Sequence, residues 1–190
     1  MKTRSAGQVV RILTVLALGL LFWALPAGAA VINCPNVDPA GSAGLCNGVA
    51  VTCVGTDGDD AITGHPTAAN VIAAGKGNDT ITIGNDEDNV VCAGKGNDTV
   101  TITGHGDNVV LGGWGEDVIT ITGDGDNWVE GGQDADTITI DGTGYNVAKG
   151  GQGNDTIVVS PGNGSVIDGG PGSDTCSGGA TEYSCEVDPT

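Results

Sequence analysis

Aspartate recurs every nineteen residues through most of this chain, at Asp60, Asp79, Asp98, Asp117, Asp136, Asp155 and Asp174. Each closes a glycine-rich hexapeptide: GTDGDD, AGKGND, AGKGND, GGWGED, GGQDAD, GGQGND and GGPGSD in turn. A glycine turn exposes backbone carbonyls, and a carboxylate at its close adds a hard oxygen donor, a set that selects calcium over zinc or copper. Carboxylates stacked at strand spacing repel one another unless divalent cations lie between them. Solvated turn aspartates would explain single cases but not an unbroken column.

Something must hold the turns in register, and the residues after each turn supply it. Runs such as Thr80-Ile-Thr-Ile83, Thr99-Val-Thr-Ile102 and Thr137-Ile-Thr-Ile140 alternate with a period of two, which places aliphatic residues on one face and threonines on the other. The inward column is Ile62, Ile81, Val100, Ile119, Ile138 and Ile157, seconded by Ile83, Ile102, Ile121, Ile140 and Val159. A second short strand contributes Ile72, Val91, Val110, Val129 and Ile167, so two strands per coil face each other across a thin core. One coil reads as six turn residues, four strand residues, six turn residues and three strand residues. No such coil buries its apolar face alone, so the fold expected is an all-β parallel β-solenoid, or β-roll, of about seven stacked coils.

The second turn carries a different column: Asn70, Asn89, Asn108, Asn127 and Asn146, with Ser165 in the next place. Amides stacked at strand spacing form a hydrogen-bonded ladder, so these residues are expected to be structural rather than metal ligands.

The first thirty residues have another character. Lys2, Arg4 and Arg11 precede an apolar run from Ile12 to Leu25 and then Pro26-Ala-Gly-Ala-Ala30, the order of a secretory signal peptide cleaved near Ala29 or Ala30. The run is shorter than the roughly 20 apolar residues a membrane-spanning helix needs, so no membrane insertion is expected after cleavage. Removing the segment leaves 24 acidic groups against Lys76, Lys95 and Lys149, a formal charge of −21. That charge excludes nucleic-acid binding by phosphate neutralisation, makes cations the natural partners, and expands the chain when they are lacking.

At this point the sequence resembles the hemolysin-type calcium-binding, or RTX, repeats, whose pattern is GGxGxDxUx with U a large aliphatic residue. Gly150-Gly-Gln-Gly-Asn-Asp-Thr-Ile-Val158 and Gly112-Gly-Trp-Gly-Glu-Asp-Val-Ile-Thr120 match it fully, and the resemblance runs from residue 55 to about 177. It implies a β-roll with calcium between adjacent turns. By position the side-chain ligands are the seven aspartates. The carbonyl ligands lie near Gly75, Gly77, Gly94, Gly96, Gly113, Gly115, Gly151, Gly153, Gly170 and Gly172. Seven turns leave six gaps, hence about six Ca2+ ions. The chain departs from the family in three respects. Its second edge carries asparagine where family rolls carry aspartate, with Asp88, Asp107 and Asp126 one residue earlier; Asp134 interrupts the glycine pattern of the fifth turn; and its export signal is N-terminal and cleavable.

Six cysteines, all beyond the signal segment, suit an oxidising compartment. Cys176 and Cys185 are expected to staple the last coil. Among Cys34, Cys46, Cys53 and Cys92, a Cys53–Cys92 bridge is disfavoured because two coils separate them. Cys92 is expected to meet Cys34 or Cys46 from a folded-over N-terminal segment. The organisation expected is a signal peptide (1–30), a disulfide-linked cap (31–54), the calcium-binding solenoid (55–177) and a C-terminal cap (178–190).

No catalytic constellation recurs around His65 or His105, the only histidines, so no enzyme activity is expected. The expected function is a secreted, monomeric, calcium-folded module with a structural or interaction role outside the cell or at its surface. No residue identifies its protein or surface partner. The alternative is a ligand-binding face on the outward threonines Thr80, Thr82, Thr99, Thr101, Thr120, Thr137 and Thr139, which resembles the ice-binding faces of some antifreeze proteins but is interrupted by Ala61, Val118 and Val158. Trp114 and Trp128 read as isolated surface aromatics on different parts of the coil.

Overall fold

The computed structural model describes residues 30–34, 45–160, 164–178 and 181–185. The expected signal peptide, but for Ala30, and parts of both expected caps lie outside the described residues.

Among the described residues, two parallel sheets of eight strands each form the solenoid. The first contains Val31–Asn33, Ala61–Thr63, Thr80–Ile83, Thr99–Thr103, Val118–Thr122, Thr137–Asp141, Thr156–Val159 and Thr175–Ser177, in that spatial order. The second contains Cys53–Val54, Val71–Lys76, Val90–Lys95, Val109–Trp114, Trp128–Gln133, Val147–Gln152, Val166–Asp168 and Thr181–Tyr183. Within the repeats neighbours pair at a spacing of nineteen, as in Ile81↔Val100 and Val110↔Val129, so each repeat strand lies on its counterpart from the previous repeat; the terminal strands pair at other spacings, Val31↔Ala61 and Val166↔Thr181. The fold is an all-β parallel solenoid.

The core is the one the alternation predicts. Ile62, Ile81, Val100, Ile119, Ile138 and Ile157 are all at most 1% exposed, as are Ile72, Val91, Val110, Val129 and Ile167 from the facing sheet. Ala148 completes the second set. These small side chains suffice because each coil covers the apolar faces of its neighbours.

The strand lengths differ from the expectation of four and three residues. In the second sheet the middle strands are six residues long, because the first half of each glycine turn continues the ladder, with Gly113 paired to both Gly94 and Gly132. Gly113 has φ +119°, and a Cβ there would overlap the carbonyl oxygen of Gly94 in the coil below. Only glycine lets the chain turn and stay on the ladder at this point.

Disulfides join the two sheets at both ends. Cys34, just after the first strand of the first sheet, bonds Cys53 of the second, with a Cα–Cα distance of 5.4 Å. At the other end Cys176 of the first sheet bonds Cys185, just beyond the last strand of the second, at 5.7 Å. The third bridge, Cys46–Cys92, pins a hairpin of Leu45–Cys46 and Val49–Ala50 onto the outer face of the second sheet. There Cys46, Val51 and Val71 pack together against Ala73, Val90 and Cys92. Asn47 (φ +48°) and Gly48 (φ +81°) form its two-residue turn, the combination that suits strand twist in hairpins.

Candidate metal centre

The solenoid places the seven aspartates in one buried column, none more than 3% exposed. Each backbone N–H donates to the next carboxylate: Asp60 N to Asp79 Oδ1 at 2.8 Å, Asp79 N to Asp98 Oδ1 at 2.7 Å, and onward to Asp155 N and Asp174 Oδ1 at 2.8 Å. These bonds use Oδ1. The Oδ2 atoms of Asp79, Asp98, Asp117, Asp136, Asp155 and Asp174 are buried without a hydrogen-bond partner.

Asp60, at the foot of the column, differs. Its Oδ1 accepts from Ala30 N at 2.7 Å, and its Oδ2 accepts from the N–H of Thr56 at 2.5 Å and its hydroxyl at 3.0 Å. Thr56 stands where the later turns have glycine, and it completes the column's lower end within the protein.

The opposite edge shows what a complete column looks like. Asn70, Asn89, Asn108, Asn127 and Asn146 are equally buried, and again each backbone N–H reaches the next side chain, as from Asn108 N to Asn127 Oδ1 at 3.2 Å. Here the second terminal atom is Nδ2. That of Asn108 donates to Asn127 Oδ1 at 2.9 Å and to the carbonyl of Gly106, two residues back, at 2.7 Å. Ser165 ends the ladder by accepting from Asn146 N at 3.1 Å. The two columns share one backbone arrangement and differ in one atom. Where asparagine brings two protons to its neighbour and to the turn carbonyl, aspartate brings a lone pair, a need that a cation would meet.

Calcium fits this donor set: carboxylate oxygens and glycine-turn carbonyls, all hard. Among the described residues no three His, Cys, Asp or Glu side chains form a metal-holding group, so carbonyls would have to supply much of the coordination.

Burial governs the ionisation of the column. It pushes Asp98 and Asp136 up to about 7 and Asp79 and Asp117 to about 6, from an ordinary 3.8, and raises Asp155 as well. The backbone N–H bonds oppose the rise and neighbouring carboxylates add to it. A carboxyl whose pKa is higher folded than unfolded binds more protons in the folded state. Stability without metal therefore falls as pH rises from about 4 to about 7. In chelator any folded structure, and any melting transition, is expected at pH 5 rather than at pH 8, where the chain is open. In excess calcium the order reverses, because protons then displace ligand. Melting curves at both pH values with and without calcium test this; the same order in both conditions contradicts it.

Of the turn glycines expected to offer carbonyls, Gly75, Gly77, Gly94, Gly96, Gly113, Gly115, Gly151, Gly153 and Gly170 have positive φ, whereas Gly172 does not. Gly132, which completes the set in the irregular fifth turn, also does, at +127°. Asp134 in that turn keeps the left-handed conformation without being glycine, at φ +75°, and its charge helps raise Asp117 and Asp136. An L residue there costs about 1 kcal/mol. Asp134→Gly is expected to stabilise the calcium-loaded protein by about that amount, read from the denaturation midpoint; a lower midpoint would show that the carboxylate contributes more than its strain costs.

The other candidates fall elsewhere. The outward threonines form two columns on the first sheet, Thr80↔Thr99↔Val118↔Thr137↔Thr156 and Thr82↔Thr101↔Thr120↔Thr139↔Val158, each broken by a valine. His65 accepts at Nδ1 from Thr67 N of its own turn at 3.2 Å, and His105 accepts at Nδ1 from Asp124 N of the next coil's turn at 3.1 Å. Asn85 was missed in the sequence. It is buried and donates to the carbonyls of His65 and Ala68 at 2.8 and 2.9 Å, and its position below Gly104, Gly123 and Gly142 of the next three repeats is the signal for it.

Fold and edge together define a parallel β-solenoid with calcium-type glycine turns. The family model for the RTX calcium-binding nonapeptide repeat (4 copies) matches residues 67–100, 101–120, 121–139, 140–166 and 165–181, more than half of the chain. The chain belongs to this family of calcium-binding repeats. Searches of curated proteins and of solved structures find no match.

Proposed function

We propose that the protein is a secreted, monomeric module that folds on binding about six Ca2+ ions and acts outside the cell or at its surface as a structural or interaction element, without catalysis. The observation that carries this reading is the set of six buried, unpartnered Oδ2 atoms along the column. In this reading Asp79, Asp98, Asp117, Asp136, Asp155 and Asp174 hold the ions together with turn carbonyls of the glycines named above, and Asp60 ends the column. Bound calcium supplies the positive charge that a stack of ionised, buried carboxylates lacks.

The chain's own residues do the rest. The N–H of each aspartate fixes the Oδ1 of the next, the asparagine ladder holds the other edge without metal, and the disulfides lock both ends. The apolar run before Pro26 supports secretion, and three disulfides agree with an oxidising compartment. Extracellular calcium modules bind at about 10⁻⁴ to 10⁻³ M, so the chain would stay open where calcium is scarce and fold where it is abundant. Equilibrium dialysis of the mature chain against calcium is expected to give about six ions per molecule. Fewer than three would remove the basis for a continuous metal column.

A further inference from the structure

The turn glycines leave a groove on the outer face of the second sheet. Gly113, Gly132, Gly151 and Gly170 form its floor, and two adjoining depressions of about 390 and 360 Å³ share Glu130, Gly132 and Gln152. One bank is the column Leu111, Glu130, Lys149 and Asp168; the other is Trp114, Gln133, Gln152 and Pro171. A third depression, of about 440 Å³, joins Leu111 and Glu130 to Trp128 and to Asn47 of the pinned hairpin. Trp114, in the groove, and Trp128, beyond its Leu111–Glu130 bank, thus flank the same pair of residues from opposite sides.

Both rings are open to solvent, Trp114 at 53% and Trp128 at 42%. Each is steadied by a lysine, with Lys95 Nζ 4.1 Å from the Trp114 ring centroid and Lys149 Nζ 4.7 Å from that of Trp128. The core requires neither ring. Along its length the groove presents amides and carboxylates at intervals of one coil, about 4.8 Å, close to the rise of one sugar unit in an extended glycan. Aromatic platforms suit the C–H faces of pyranose rings; Gln133, Gln152, Glu130 and Asp168 suit their hydroxyls. Net negative charge, with Glu130 and Asp168 on the bank, opposes an anionic chain.

We propose that this groove binds a linear, uncharged polysaccharide lying along the solenoid axis over about four coils, from Leu111 to Asp168, with Trp114 as the main platform. The proposal supplies a ligand class for the interaction role above and rests on that reading only in requiring the calcium-loaded fold. The test is native affinity electrophoresis of the calcium-loaded mature chain in gels containing hydroxyethyl cellulose, xylan, galactomannan or, as the anionic comparison, alginate, with circular dichroism and bound calcium measured on the same samples. Retardation by at least one neutral polymer is expected, weakened at least tenfold in Trp114→Ala and in Gln133→Ala, with dichroism and calcium content unchanged. A folded, calcium-loaded chain that no neutral polymer retards, that only alginate retards, or whose retardation survives the Trp114→Ala/Trp128→Ala double change overturns the groove assignment and leaves the calcium reading standing. A chain without β structure in calcium fails the calcium reading, and the groove with it.

Discussion

Replacing Asp79, Asp98, Asp117, Asp136, Asp155 and Asp174 together by asparagine is expected to turn a calcium-dependent fold into a calcium-independent one. The reason lies in the opposite edge, where asparagine on the same backbone arrangement leaves no polar side-chain atom of the ladder unpartnered. A buried polar atom without a partner costs about 1–3 kcal/mol, and more when charged. Six such atoms match or exceed the ~5–15 kcal/mol that holds a typical domain together. The sixfold variant should show native β dichroism in chelator and bind little calcium. Lower net charge alone would also favour compaction, so the control carries six exposed changes instead: Asp86, Asp88, Asp107, Asp124 and Asp126 to Asn and Glu116 to Gln. Calcium-independent folding of that control would mean that general repulsion, not the orphaned oxygens, makes the fold need metal.

Single alanine changes should be unequal along the column. Asp98 and Asp117 each lie between two turns, and Asp174 closes the last one. Asp98→Ala and Asp117→Ala are expected to lose two ions each and Asp174→Ala one. The interior changes also strip a buried N–H of its acceptor, that of Asp79 or of Asp98. That loss adds about 1–3 kcal/mol to the destabilisation measured in calcium. Asp174→Ala likewise strips Asp155 N, so the ion count, and not the melting temperature alone, is the discriminating readout. Equal ion loss in all three variants would contradict stacked-turn binding.

Much of this molecule could be read from its residues, because a solenoid repeats its instructions. Period-two alternation identified both aliphatic columns, and the nineteen-residue spacing aligned aspartate on aspartate and asparagine on asparagine. Features that occur once were harder. The hairpin on the second sheet rests on Asn47-Gly48, a good turn signal, but its strands are only two residues long and offer no alternation to detect. The partner of Cys92 depended on where that hairpin lies, so Cys34 and Cys46 could not be separated without it. Thr56 as the partner of Asp60 is a departure from the repeat that became meaningful only when Oδ2 was seen to be partnered there and nowhere else in the column. That Trp114 and Trp128 flank the same two residues, Leu111 and Glu130, was hidden because they lie in successive coils and different columns.

The most direct test of the central claim is a far-ultraviolet circular dichroism titration of the disulfide-intact mature chain with calcium, starting in chelator and repeated with magnesium. A transition from disordered chain to β structure, complete in millimolar calcium and absent with magnesium, is the expected result. β structure already present in chelator and unchanged by calcium would contradict it, and would mean that the three disulfides and the asparagine ladder hold the solenoid while its aspartate column stays protonated.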